Sequence, residues 1–286
     1  MFLIVHNPLS SNKKSRKTTK KYVRFFQKKQ IPFIIRSTLK IKDLNKYLSN
    51  RPKISDLLLL GGDGSINYFI NNTDLSKINQ NIYLAKSGSG NDYLRTLKKT
   101  RPNQVYIGKA ILNGKTLVNF ANGCGLGFDG LVCHYVNNDE KKNKITYLKN
   151  VFKSIVKYKP QEVKVKVDGK TFEFKKTYLV AIQNGRYFGG GMKAAPHAHL
   201  DDKDLYVLVV HSLSKWLLQI LLMSIYPGIH TIFKKYVTIF SGQSIQVEFE
   251  KENYFQADGE VIESVKNIDV STDQTHALYA FNKKKY

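Results

Sequence analysis

The residues best placed to do chemistry lie in four short glycine-containing stretches. In the first, LLLLGGDGSIN, four leucines run into Gly61 and Gly62, and Asp63 is followed by Gly64, Ser65, Ile66 and Asn67. A glycine cluster between two structured segments makes either a tight turn or a place where a ligand meets bare backbone. At the carboxyl end of a parallel strand, amides without side chains around them suit phosphate oxygens. A helix starting there turns its positive end toward the same oxygens. Beside phosphates, Asp63 would serve a bound Mg²⁺ or take the proton of an alcohol. The spacing is not that of a P-loop. Alone, the stretch is at least as readable as a structural turn.

The second stretch, SGSGNDYLR (Ser87 to Arg95), brings two glycines, hydroxyls that include Ser89, an Asn-Asp pair and Arg95. It suits a polar ligand or a turn about equally. The third, GCGLGFDG, places Asp129 in a glycine-rich bend, and the fourth, QADGE, sets Asp258 and Glu260 around Gly259 after an aromatic strand. Asp-Gly is common at hairpin tips, so that pair alone reads as a turn.

These stretches need elements to position them. Short strands are expected at Met1 to Val5, Phe33 to Ile35, Leu57 to Leu60 and Ile82 to Ala85, and helices at Lys14 to Gln30, Ile41 to Leu48 and from Ile66. The leucine strand is continuous rather than alternating, as in a parallel strand buried on both faces. Strand and helix alternate at βαβ spacing, so residues 1–120 read as a doubly wound α/β domain. Beyond it the texture is β-rich. A hairpin turns at Asp168-Gly169, and strands are expected at 178–182, 205–210, 245–249, 254–257 and 277–281. Helices are expected at 147–158 and 215–225. Residues 121–286 form the second, sandwich-like domain, with the C-terminal segment a candidate to return to the first.

Composition narrows the partners. The net charge is +24, from 46 Lys and Arg against 22 Asp and Glu. Residues 1–42 hold twelve cations and no acid. Such a face suits nucleic acid, an anionic membrane surface or phosphorylated ligands. No zinc-finger spacing, RNP-type strand or basic zipper is present, so no nucleic acid partner is expected. Two cysteines, Cys124 and Cys133, exclude a disulfide scaffold and fit a reducing cytoplasm. No leader is evident, and the longest apolar stretch, Trp216 to Tyr226, is too short to span a bilayer. That helix reads as core, and the rings of His197 and His199 lack the further ligands of a zinc site. The expectation is a cytoplasmic protein held peripherally at a membrane.

Taken together, HNPLS, GGDGSIN, GSGNDYLR, GCGLGFDG, GGGMKAAPHAHLDDKDL and ADGE resemble, in order and spacing, the diacylglycerol kinase catalytic-domain superfamily and its bacterial lipid kinases. The resemblance covers essentially the whole chain. It implies an α/β nucleotide domain with a sandwich-like partner, and ATP- and Mg²⁺-dependent phosphorylation of a lipid hydroxyl. By motif, Thr38, Gly62, Asp63, Gly64, Ser65, Ile66, Asn67 and Ser89 would hold the nucleotide, with Arg95 and Lys144 as charge partners by position. Glu260 matches the usual proton acceptor, and Asp63 competes for that role in eukaryotic relatives. Asp202, with the backbone carbonyls of His199 and Asp204, matches a loop that holds a structural Mg²⁺. A homodimer is expected only by analogy with similar bacterial enzymes.

Three positions depart from the pattern: Ser11 and Lys203 stand where the family has glycine, and Lys86 where it has proline. Lys203 puts metal affinity in question, because glycine's dihedral freedom is lost. Two rival readings stay open. One is an NAD kinase-like enzyme, which shares the Gly-Gly-Asp-Gly turn. The other is a non-catalytic lipid- or nucleic-acid-binding protein on the same fold, against which the retained Asp63 and Glu260 argue. The lipid itself could be a diacylglycerol, sphingoid base, polyprenol or phosphatidylglycerol.

Overall fold

A computed structural model describes residues 1–8, 15–87, 90–99, 105–139, 144–274 and 278–286. The chain divides into two compact units: residues 1–106, 199–201 and 274–286 form one, and residues 107–198 and 202–273 the other.

Unit 1 is a doubly wound α/β fold. Its parallel sheet runs in the order β14 (Leu278–Ala280), β4 (Asn81–Lys86), β3 (Asp56–Gly61), β1 (Phe2–His6), β2 (Phe33–Ser37). Leu57 to Leu60 are all buried, as a central strand covered on both faces requires. The connections are α1 (Ser15–Lys28), α2 (Leu44–Ser49), α3 (Asp63–Asn71) and α4 (Asp92–Leu97). Helix α1 lays Phe26 against Phe2, Ile4 and Leu58, while Arg16, Lys17, Lys20, Lys21, Arg24 and Lys28 face solvent. The C-terminal segment joins this packing: Phe281 stacks on Phe26 at 5.8 Å and on Tyr286 at 5.4 Å. Chain order reverses at β1, whose neighbours are β2 on one side and β3 on the other. Ligands of such sheets bind at the carboxyl ends flanking that switch point.

Unit 2 is β-rich. A nine-stranded sheet contains β5 (Tyr106–Leu112), β6 (Thr116–Phe120), β7 (Gly123–Gly127), β8 (Gln161–Val167), β9 (Lys170–Gln183), β10 (Leu205–His211), β11 (Val237–Gly242), β12 (Ile245–Ala257) and β13 (Glu260–Gln274). The division between units falls after residue 106 rather than at 120, because β5 and β6 pair with each other and β5 lies beside β13. The segments expected as two strands at 245–249 and 254–257 are one strand, β12, whose register shifts between Glu248 and Asn253.

Strands β9 and β10 alternate their faces. Val180, Ile182, Val207 and Val209 enter one core with Val163, Val165 and Phe255. Leu179, Ala181, Leu208 and Val210 enter a second, which α5 (Phe128–Asn138), α6 (Lys144–Lys157) and α7 (Lys215–Ile225) cover. The bend expected at GCGLGFDG is instead a fully buried strand running into a helix. Its glycines answer to packing. A Cβ on Gly130 would stand 2.1 Å from the Tyr254 carbonyl, and one on Gly125 2.3 Å from the Asp129 carboxylate.

Candidate active site

In unit 1 the strand β3 delivers Gly61 and Gly62 to the switch point. Gly62 is the N-cap of α3 and brings no side-chain acceptor to the first-turn amides. A Cβ on Gly61 would collide with Ser65 at 2.3 Å, so glycine lets the helix start close against the strand end. Above Gly64 nothing lies within 4 Å, and the residue is exposed. Ile66 and Asn67 face inward. The result is a helix start open to an anion.

Two hollows adjoin it. One, about 550 Å³ and open to solvent, is lined by Asn7, Thr38, Lys42, Ser65, Tyr68 and Asn72 over a floor that includes Val5 and Leu59. The other, about 280 Å³, is lined by Gly61, Gly62, Ser65, Ile66 and Asn91. Ser65 lines both. Thr38, the first residue of a short 3-10 turn after β2, and Gly61 and Gly62 ahead of α3 therefore share one contiguous end of the sheet. Lys42, Tyr68 and Asn72 belong to this end as well, though no motif marks them.

Asp63 is more committed than its motif implies. Its Oδ2 accepts the Asp92 amide and its Oδ1 the Tyr93 amide, each at 3.0 Å. It thereby caps α4 from 29 residues away, a role that the N-cap residue Asn91 leaves to it. Gly90 belongs to the same contact, because a Cβ there would stand 2.8 Å from Asp63 Oδ2. Arg95 donates to Asp92 Oδ1 at 2.9 Å, with the guanidinium half exposed and the carboxylate buried. Ser89 lies outside the described residues.

In unit 2, Asp258 and Gly259 form the tight turn between β12 and β13, with φ of +50° and +94°. The Asp258 carboxylate accepts three amides, from Ala121 at 2.6 Å, Asn122 at 2.8 Å and Gly123 at 3.2 Å. Gln256 accepts the Gly259 amide and donates to Asp129 Oδ2, both at 3.1 Å. Asn137 of α5 donates to the Gly259 carbonyl at 2.9 Å. The turn is thus fixed from three sides, and Glu260 opens β13 opposite Ala257 with its side chain exposed. Asp129 is buried, and that burial pushes its carboxyl up to about 6 against the opposing hydrogen bond from Gln256.

The expected metal loop is divided: His199 belongs to unit 1, Asp202 and Asp204 to unit 2. Asp202 Oδ1 accepts the Asp204 amide at 3.2 Å, and Asp204 Oδ1 accepts the Gln243 amide group at 3.1 Å. Lys203 is not among the residues with positive φ, so this turn does not need the glycine that the pattern carries there. Among the described residues no three His, Cys, Asp or Glu side chains gather to hold a metal. One carboxylate with backbone carbonyls would be an all-oxygen set, of the kind Mg²⁺ takes.

Comparison with known proteins agrees with this architecture. Residues 1–118 match the Diacylglycerol kinase catalytic domain, and residues 123–271 match the YegS C-terminal NAD kinase beta sandwich-like domain. The Bacillus subtilis protein named "Putative lipid kinase YtlR" is 25% identical over 239 residues, 73% of this chain and 75% of its own. A Staphylococcus epidermidis protein named "Putative lipid kinase" is 25% identical over 266 residues, 87% and 85% of the two chains. Two solved Bacillus anthracis structures, each described as a "putative diacylglycerol kinase", share the fold with TM-scores of 0.70. One is 21% identical and covers 96% of both chains, the other 23% and 98%. The chain belongs to the diacylglycerol kinase catalytic-domain superfamily, in its bacterial lipid kinase branch.

Proposed function

We propose that the protein transfers the γ-phosphoryl group of ATP to the hydroxyl of a diacylglycerol-like lipid at an anionic membrane surface. The observation that carries this reading is the open helix start at Gly62 to Ser65, continuous through Ser65 with the 550 Å³ hollow at the switch point. The glycines leave room for phosphate oxygens at the first amides of the helix, and the hollow opens to solvent beside them. Thr38, Tyr68 and Asn72 line that hollow, and Asn67 and Arg95 join the nucleotide site by motif alone. Mg²⁺, when bound with ATP, supplies neutralisation of the phosphate charge.

In the transfer, the lipid hydroxyl oxygen bonds to the γ-phosphorus as the bond to the bridging oxygen of ADP breaks. The hydroxyl proton goes to a carboxylate. Asp63 spends both oxygens on the α4 amides, whereas Glu260 is exposed on a turn held by Asp258, Gln256 and Asn137. Asp63 is therefore read as a positioning residue, and the base is Glu260 on the strength of the family pattern, which names it as the proton acceptor. Among the described residues no helix is long and apolar enough to cross a membrane, so the lipid would be met at a surface.

The test is transfer of labelled γ-phosphate, with Mg²⁺, to a panel of lipid alcohols in mixed micelles, with NAD as control acceptor. Label on one lipid, reduced roughly 10²- to 10⁴-fold by Glu260→Gln, is the expected result. Label on NAD would move the activity to the enzyme class that the sandwich domain's description names.

A further inference from the structure

Unit 2 presents an apolar face that its own fold leaves uncovered. Helix α6 buries Ser154 and Ile155 and packs Val151 inward, yet turns Leu148, Phe152 and Val156 out at spacings of four. By its sequence helix α7 reads as core. It buries Leu218, Leu221 and Ile225, but exposes Trp216, Ile220 and Met223 along a second stripe. The two helices are neighbours: Lys215, which opens α7, donates from Nζ to the carbonyl of Val156. Beyond α7, Gly228 turns the chain with φ of +83° into a short 3-10 segment. Buried His230, whose Nε2 contacts the Ala194 carbonyl at 3.0 Å, anchors that segment and leaves Ile229 and Ile232 outside. The exposures are large, 67% for Trp216, 72% for Val156 and 68% for Ile232.

The two segments that build this face carry charge of one sign, and the nearby carboxylate of Asp139 meets α6 at Asn150, on its buried side. Residues 144–160 and 212–236 hold eight lysines and no carboxylate. Lys149, Lys153, Lys157, Lys215, Lys234 and Lys235 are exposed, and none pairs with a carboxylate among the described residues. A second copy of the chain would bring the same lysines to the contact and repel. An anionic bilayer satisfies both properties together: headgroups take the lysines while aromatic and aliphatic tips enter the interface. Trp216, the only tryptophan in the chain, sits where that residue type is favoured at membrane surfaces. The basic face of α1 lacks this combination, because its aromatic residues pack inward against Phe281.

We infer that the α6–α7 face, with Trp216, Ile220, Met223, Phe152 and Val156 at its centre and lysines at its rim, is the surface by which the protein docks on anionic lipid bilayers. The inference rests on the lipid kinase reading for its purpose but not for its test. Full-length protein is mixed with vesicles of phosphatidylcholine alone or with phosphatidylglycerol, and pelleting is followed together with Trp216 emission. The expected result is binding only with phosphatidylglycerol, with emission shifted to the blue. Ile220→Asp and Met223→Asp should each weaken binding by at least roughly tenfold, and Lys149→Glu with Lys153→Glu should do the same while leaving Trp216 in place. Unchanged far-ultraviolet circular dichroism and melting certify the variants.

Activity on a soluble short-chain diacylglycerol separates the two proposals. Retained turnover there, with loss on vesicles in Ile220→Asp, supports docking. Absence of turnover on any lipid, with vesicle binding intact, sinks the kinase reading alone. Vesicle binding that leaves Trp216 emission unmoved and is lost in Lys17→Glu with Lys20→Glu would overturn the inference. So would a dimer that Ile220→Asp splits while vesicles go unbound.

Discussion

Replacing Asp63 tests how the two glycine stretches of unit 1 are joined. Helix α4 has six residues, too few to stand on propensity, and its own N-cap side chain gives its first amides nothing. Both Asp63 oxygens fill that need at 3.0 Å, from a partly buried position. Loss of an N-cap acceptor costs roughly 0.5–2 kcal/mol, and here one carboxylate serves two amides. Asp63→Ala should therefore destabilise unit 1 by about 2–4 kcal/mol, and Asp63→Asn, which keeps one acceptor, by about half of that. In a chain of this size each kcal/mol lowers Tm by roughly 2–4 °C. Thermal unfolding without nucleotide, and amide exchange at Asp92 and Tyr93, would read the loss directly. Gly90 supplies the internal control: Gly90→Ala crowds Asp63 Oδ2 at 2.8 Å, so it should cost stability in the native chain and much less beside Asp63→Ala. The capping role fails if Asp63→Asn melts like the native protein, leaves exchange at Asp92 unchanged and still abolishes turnover. Asp63 would then be facing the reacting hydroxyl.

Two further perturbations bear on other parts of the molecule. Asp129 titrates near 6 in the fold against about 3.9 when unfolded, so the native state binds the extra proton between those values and stability falls as pH rises through them. The contribution is complete below about pH 4 and lost above 6, at most about 3 kcal/mol. Asp129→Asn should abolish that slope in urea unfolding, be more stable than the native chain at pH 8 and gain nothing at pH 4. Gly64→Ala meets nothing within 4 Å, so calorimetry should find it neutral or stabilising by about 0.5–1 kcal/mol, while its KM for ATP rises because the methyl enters the space assigned to phosphate.

What the sequence discloses and what it conceals divide along a physical line. Local periodicity is printed in the residues themselves: the leucine run of β3, the hairpin at Asp168-Gly169 and the extent of α7 at 215–225 all follow from patterns a few residues long. The hairpin of β5 and β6 carries the same kind of signal in Asn113-Gly114, both at positive φ. Helix α5 was hidden for a different reason. Its glycines look like breakers, but Gly130 is there because the Tyr254 backbone crosses at a distance no side chain permits, and Tyr254 is over a hundred residues away. The carboxylates show the same division more sharply. Motifs marked Asp63 and Asp258 as residues of interest, yet their partners are backbone amides, which have no letter in a sequence. A motif can therefore name a carboxylate without saying whether it is free to take a proton. Helix α7 sets the remaining limit. Apolar on nearly every side, it has no polar stripe to tell which face the sheet covers, so only packing against α6 and β10 decides which leucines are core and leaves Trp216 outside.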